Sequence, residues 1–339
     1  MIYSSSMIWA SFKLNDQYYY LIRQSIFFLI SVIALYVTSR LDLELIKEKG
    51  NLIFLFFFSL LIIVLIPGIG IVRGGARSWI GFNFFSIQPA EFMKIGLIII
   101  LSKYLEKNHY EMKKISKLFF PIFIILITFG LIMLEPDFGT GIILVLTGIM
   151  MIFVCGIKKK WIFFFLFIGI AFLSYIIISA PYRLTRIYSY LDPWSDPLGS
   201  GFQTIQALYA ISPAGLFGYG LFNSRQKYYY LPEPQTDFIF AIIIEELGLI
   251  GGAFILFLFF IIFYNGILIV LKEKDKFKMF LAFGITSTLF IQFFINIGVV
   301  IGLLPVTGVT LPFLSYGGSS LLLNMIMIGL LVNIASDLK

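Results

Sequence analysis

Three acids, Asp237, Glu245 and Glu246, interrupt one apolar run, LPEPQTDFIFAIIIEELG over 231–248. An acid at membrane depth costs about 2.5–3.5 kcal/mol on insertion scales, so each of these needs a reason to be there. A carboxylate can take a proton from an attacking hydroxyl, hold a cation, or fasten a neighbouring helix through hydrogen bonds. At 3.6 residues per turn, Asp237, Ala241, Glu245, Gly248 and Gly252 fall within roughly an 80° arc, with Glu245 about 12 Å further along the axis. That arc is small and acidic, and the rest of the helix is Ile, Phe and Leu. Thr236 is placed to cap a helix that begins at Asp237. Asp237, at the mouth, is the candidate for chemistry. Glu245 fits a cavity lining or a helix fastening, and Glu246, pointing nearly opposite Asp237, needs a different partner.

A second acid lies in SIQPAEFMKIGL, where Glu91 and Lys94 are three apart and share a helix face that Pro89 can start. Such a neutralised pair either fastens helices or lines a cavity. The single histidine, His109, stands in a Lys-rich loop without Cys or His neighbours at metal-ligand spacing, and the single cysteine, Cys155, lies in an apolar run suited to packing.

The elements that must position these groups are membrane helices. The chain has 339 residues, 60% hydrophobic and only 13% charged, against about a quarter charged in soluble domains. Apolar stretches of spanning length fall near 22–39, 51–67, 87–102, 118–134, 141–157, 161–180, 237–262, 279–301 and 317–335, which makes nine. The loops at 40–50, 103–117, 158–160 and 272–278, with the C-terminus, carry most of the 25 basic residues. The positive-inside rule makes that side cytoplasmic and puts the N-terminus outside. The net charge of +7 is thereby assigned to membrane lipids and topology, not to nucleic acid. The cytoplasmic bases are nearly all lysine. The outer side holds Lys13, Arg73, Arg77, Arg183, Arg186, Arg225 and Lys227. Arginine's planar fork suits phosphate, so Arg77, Arg183 and Arg186 are candidates for an anionic head group, with ordinary loop salt bridges as the alternative.

The expected fold is an all-α polytopic membrane protein, one integral membrane domain over 1–339, with a long extracytoplasmic loop at 181–236. That loop is neither low in complexity nor rich in charge, and reads as a folded lid. Within it, SGFQTIQALYAI predicts a helix with Phe202, Ile205, Leu208 and Tyr209 on the apolar face and Gln203 and Gln206 toward water.

Several stretches together resemble the SEDS family (shape, elongation, division and sporulation), the polytopic peptidoglycan glycosyltransferases that include FtsW and RodA. They are GGARSWIGFNFFSIQPAEFMK (74–94), EPDFGTG (135–141), APYRLTRIYSYLDPWSDPLGSGFQTIQALYAI (180–211), SRQKYYYLPEPQTDFIFAIIIEELG (224–248) and NIGVVIGLLPVTGVTLPFLSYGGSS (296–320). They cover nearly the whole chain, in the family's order, and look closest to the division and sporulation branch. The family has ten membrane helices. Here MIYSSSMIWASF resembles the family segment that follows the first span, so the expectation is the family pattern without helix one.

The resemblance implies polymerisation of lipid II at the outer face of the bacterial cytoplasmic membrane. The acceptor's GlcNAc 4-hydroxyl attacks C1 of the donor MurNAc and the undecaprenyl pyrophosphate leaves. Asp237 matches the family's essential aspartate, acting either as base or as ligand to a divalent cation (Mg or Mn). Arg77, Arg183 and Arg186 would face the pyrophosphate, while Glu91, Lys94 and Glu245 would line the cavity. The implied partners are a class B penicillin-binding transpeptidase and divisome or sporulation proteins. A lipid II flippase and a non-catalytic scaffold for the transpeptidase are the alternatives from other classes.

Overall fold

The computed structural model describes residues 1–338 apart from 74, 83–84, 159, 162–163, 166, 168, 170, 172–173, 175–177, 179–180 and 229, together with the side chains of 82 and 181–183. The span expected at 161–180 lies for the most part outside the described residues. Among those described, five helices are long and apolar enough to cross a membrane: Tyr19–Thr38, Ile115–Leu134, Ile239–Lys272, Lys276–Val300 and Gly318–Ser336. Gly50–Leu65 and Phe138–Val154 are shorter apolar helices. The stretch expected at 87–102 is the helix Pro89–Asn108, which begins on Pro89 at its first turn, where the missing N–H costs nothing.

The chain divides into two units. One comprises 27–162, 262–291 and 318–339. It holds α3 (Leu43–Glu48), α4 (Gly50–Leu65), α5 (Pro89–Asn108), α6 (Phe119–Leu134), α7 (Phe138–Val154) and α12 (Gly318–Ser336). Its centre is α5, which packs against α4, α6, α7 and α12. Ala90, Met93, Leu97, Ile98, Leu101 and Leu105 of α5 are fully buried. A helix covered on nearly every face is the expected fate of an apolar run whose few charges pair with one another.

This unit also contains a small antiparallel sheet that the apolar runs did not announce. It is formed by β1 (Gly70–Arg73), β2 (Ala76–Phe82) and β3 (Phe85–Ile87), in that order. Ile71 pairs with Trp79 and Ile80 with Ile87, with an irregular register between Ile71 and Val72. The sheet is the departure from an all-α fold, and its strands are short enough for their alternation to be lost between long apolar helices.

The other unit comprises 1–26, 163–261 and 292–317. It holds α1 (Ile2–Leu14), α8 (Pro181–Leu191), α9 (Phe202–Ile211), most of α10 (Ile239–Lys272) and the end of α11 (Lys276–Val300). The opening segment, expected only as an exit from a span, is helical, and buries Ser4, Ser5, Ser6 and Ala10. α9 forms where its spacing predicts, but its buried face is Thr204, Ile205, Ala207 and Ala210. Tyr209 is exposed and meets Trp194 edge-on at 5.9 Å. Small side chains at 207 and 210 permit close approach, so the face that packs is the narrow one.

The helix carrying the acids also departs from its expected form. α10 starts at Ile239, so Asp237 precedes the helix. Thr236 does not cap it; its hydroxyl donates to the Glu233 carbonyl at 2.8 Å. The helix is interrupted at Gly248, with φ 70 and ψ −172. A side chain at 248 would collide with the Leu216 carbonyl, 2.2 Å from the Cβ position, so glycine is required there both for the left-handed φ and for space. Residues 215–220 fill the interruption. Tyr219 and Gly220 donate their amides to the Glu245 and Glu246 carbonyls at 2.9 Å, and the Leu249 and Ile250 amides donate to Gly215 and Leu216 at 3.0 and 3.2 Å. A broken membrane helix is tolerated when its freed backbone groups find partners in this way.

Candidate active site

Asp237 lies in the turn entering α10 and is half-buried. The structure builds its surroundings from the strap between α11 and α12, residues 301–317. Asn296, in the last turns of α11, donates its side-chain amide to the Asp237 carbonyl at 2.8 Å and to the Val309 carbonyl at 2.7 Å. Ser315 donates to the Thr236 carbonyl at 2.5 Å, and the Tyr316 amide donates to the Gln235 carbonyl at 2.8 Å. Gln24 joins from the first turns of the helix Tyr19–Thr38, accepting from the Gly317 amide at 3.2 Å and donating to the Ser315 carbonyl at 3.3 Å. The segment 235–237 is thus held to the strap and to α11 through its backbone carbonyls. At Gly308, φ is +75, and a Cβ there would stand 3.7 Å from Asp237 Oδ2. The strap's backbone therefore runs beside the carboxylate.

Arg186, on α8, donates from Nη1 to the Val306 carbonyl at 2.9 Å, two residues before Gly308. Tyr190, one turn later, donates to the Leu303 carbonyl at 3.1 Å. The candidate arginine and the candidate acid are thereby brought to the same strap. Arg183 falls on the same helix, but its side chain lies outside the described residues.

The two glutamates are occupied elsewhere. Glu245, expected in a cavity lining, is 1% exposed, and its carboxylate accepts from the Ser224 hydroxyl at 2.5 Å and the Arg225 and Gln226 amides at 2.8 and 3.2 Å. Glu246 pairs with Lys227 at 2.9 Å, both side chains fully buried, and accepts from Ser4 at 2.6 Å. Lys227, expected among the outer bases, is an internal counter-ion. Arg225 is exposed, with its guanidinium over the Tyr219 ring at 4.4 Å.

The remaining candidates belong to the other unit. Glu91 and Lys94 form the expected ion pair, at 3.0 Å with Lys94 1% exposed. In the same unit, Gln88 donates to Asp137 at 2.6 Å, and Asp137 caps α7 by accepting from the Thr140 amide at 3.1 Å. Burial raises the Asp137 carboxyl. Glu135, in the turn before α7, is 0% exposed, and neither carboxyl oxygen has a hydrogen-bond partner. Burial, and secondarily the charge of Asp137, pushes its pKa up to about 9, so it is held as the neutral acid. Arg77 donates to the Leu65 carbonyl at 3.3 Å from within β2, and Arg73 stacks on Trp79 at 5.0 Å. Among the described residues no group of three or more His, Cys, Asp and Glu could hold a metal ion.

The model of the FtsW/RodA/SpoVE family, described as cell cycle protein, matches residues 1–339. The chain belongs to this family. Stage V sporulation protein E of Bacillus subtilis (strain 168) is 50% identical over 336 residues, covering 99% of this chain and 92% of that protein. The probable peptidoglycan glycosyltransferase FtsW of Geobacter metallireducens is 39% identical over 340 residues, covering 100% of this chain and 91% of that one. A solved structure titled "Structural coordination of polymerization and crosslinking by a peptidoglycan synthase complex" superposes with a TM-score of 0.81 at 27% identity, over 100% of this chain and 95% of the other. The rod shape determining protein RodA of Thermus thermophilus shares the fold, with a TM-score of 0.71 at 24% identity. This FtsW/RodA/SpoVE-family chain is a multi-pass membrane protein. Asn296, Gly308 and Ser315, the residues that frame Asp237, all lie in the stretch 296–320 that carries part of the resemblance, and the sequence reading assigned none of them a role.

Proposed function

We infer that this chain is a peptidoglycan glycosyltransferase that polymerises lipid II at the outer face of the cytoplasmic membrane, with Asp237 as its reactive carboxylate. The observation that carries this reading is where Asp237 is held: it precedes α10, is pinned through its own carbonyl by Asn296, and has the Gly308 backbone beside its carboxylate. The FtsW relative at 39% identity, named a probable peptidoglycan glycosyltransferase, supports the activity.

In the reaction the acceptor hydroxyl attacks the anomeric carbon, the bond to the lipid pyrophosphate breaks, and the hydroxyl proton must be taken up. Asp237 either accepts that proton or holds a divalent cation. Asn296, which pins the Asp237 carbonyl, and Thr307, next to Gly308 in the strap, carry side-chain oxygens that are buried and without a hydrogen-bond partner, the donor chemistry a hard cation such as Mg or Mn would take. When bound, the cation would neutralise charge developing on the pyrophosphate. Arg186 fixes the strap and, exposed on α8, offers its guanidinium to the same phosphate; Arg183 and Arg77 are assigned to phosphate by resemblance alone. Glu91 and Lys94 are assigned to the cavity around the substrate on the same footing. The lysine distribution supports a cytoplasmic C-terminus. The neighbour's title, a peptidoglycan synthase complex, supports a cross-linking transpeptidase as partner.

The test is turnover of purified lipid II into glycan by the wild-type chain and by Asp237→Asn at matched membrane levels. Polymer from the wild type and near-complete loss in Asp237→Asn are expected. A flippase or a scaffold makes no polymer, and an active Asp237→Asn protein removes the catalytic role.

A further inference from the structure

We propose that Glu245 and Glu246 are positioning residues for Asp237, acting through a closed ring of chain. Glu245 grips the turn at 224–226 by its backbone: the Ser224 hydroxyl and the Arg225 and Gln226 amides all donate to its carboxylate. Adjacent residues on a helix point about 100° apart. Glu246 accordingly grips the same turn from another side, through the Lys227 ammonium. The segment from Arg225 to Glu245 is therefore stapled to itself at its ends, and Asp237 lies inside it. Within the ring the Leu231 amide donates to the Gln226 carbonyl at 3.0 Å and Leu231 is 1% exposed. Closing a loop removes part of its freedom before any further contact forms, so the carbonyls of Gln235, Thr236 and Asp237 are presented to the strap from a restricted segment.

Two further observations indicate that the staple is built for placement. Both acids lie within three residues of the interruption at Gly248, and their carbonyls accept from Tyr219 and Gly220. The start of α10, which fixes where Asp237 sits, is thereby held from its far end. Ser4 of α1 then closes over the pair, donating to Glu246 Oε1 at 2.6 Å and lying 3.2 Å from Lys227 Nζ. A fully buried ion pair is weak as a source of stability, because desolvation offsets its attraction, and a neutral pair of similar volume can replace it at little cost. What such a replacement loses is the fixed geometry.

The proposal rests on the reading of Asp237 given above, and the experiment separates the two. The double variant Lys227→Met/Glu246→Leu removes both buried charges together, and Glu245→Gln keeps the shape and one acceptor oxygen while removing the charge. Each is purified in detergent beside wild type and Asp237→Asn. Three quantities are measured: folded yield, kcat and KM on lipid II, and hydrogen exchange of amides in 231–238. Both variants are expected at wild-type yield, with faster exchange over 231–238, KM unchanged, and kcat lowered about tenfold, as for a small misplacement of a reacting group. Wild-type kcat in either well-folded variant overturns the proposal, as does lost kcat with unchanged exchange. If the double variant does not accumulate, the pair is structural and the part assigned to Glu246 is overturned, leaving Glu245→Gln to decide the rest. Full activity in Asp237→Asn would instead remove the reading beneath it.

Discussion

The side-chain amide of Asn296 bridges two carbonyls, those of Asp237 at 2.8 Å and Val309 at 2.7 Å. Both amide protons are used, so the orientation of the side chain is fixed and its oxygen faces away from them. One residue of α11 thereby joins the turn that carries the acid to the strap beside it.

Asn296→Asp keeps the size but cannot donate either bond at neutral pH, and places a carboxylate against two carbonyl oxygens. We expect glycan synthesis to fall at least tenfold, with a loss of about 1–3 kcal/mol of stability from the unsatisfied carbonyls. Lipid II polymerisation and a thermal midpoint in detergent check both effects. Wild-type turnover by Asn296→Asp would show that the bridge does not place Asp237.

Gly308→Ala introduces a side chain at φ +75, where an L-residue is strained by about 1–2 kcal/mol. Its methyl would also stand at van der Waals distance from Asp237 Oδ2. Reduced kcat is the expected outcome, with expression near normal. A destabilised protein that retains full turnover per folded molecule would separate backbone strain from the site.

Arg186→Lys retains a charge but loses the planar fork, which can hold the Val306 carbonyl from Nη1 while presenting a rigid set of further donors to a phosphate. KM for lipid II should rise several-fold with little change in folded yield. Arg186→Gln should be worse on both counts, having lost the charge as well. Kinetics on the two variants that match wild type would reduce Arg186 to a loop residue.

Glu135 gives a pH dependence with a definite sign. Burial pushes its pKa up to about 9, above the ordinary value of about 4.3. Between those values the folded chain binds the proton that the unfolded chain has released. Stability from this group therefore falls as pH rises through the window, and is fully present only below it. Asp137, also raised by burial, contributes in the same direction. Glu135→Gln keeps the neutral shape and should flatten the slope, so that the variant gains on wild type between pH 6 and about pH 9. Thermal midpoints across that range decide it, and parallel curves would show that Glu135 does not bind a proton on folding.

The legible part of this protein was set by composition and by runs of residues. Apolar stretches of spanning length and charges gathered in loops determined a polytopic membrane protein. The long motifs determined the family, and the isolated acid at 237 stood out as chemistry. Spacing within one helix was enough to find the Glu91–Lys94 pair, because its partners are three apart. What the tertiary structure decided are relations between distant residues. Asn296 and Asp237 are 59 positions apart, and Ser4 and Glu246 are 242. No periodicity carries such a pairing, since a side chain's need for a partner is written in its type but the partner's identity is set by where the chain crosses. Helical spacing placed Glu245 on the face of Asp237 by assuming an unbroken helix from 237 onward. The chain starts that helix at Ile239 and breaks it at Gly248, because residues 215–220 supply the backbone hydrogen bonds that an uninterrupted helix would have made for itself. With those bonds supplied, the two glutamates turn to the 224–227 segment, while Asp237 is held at the strap through Asn296.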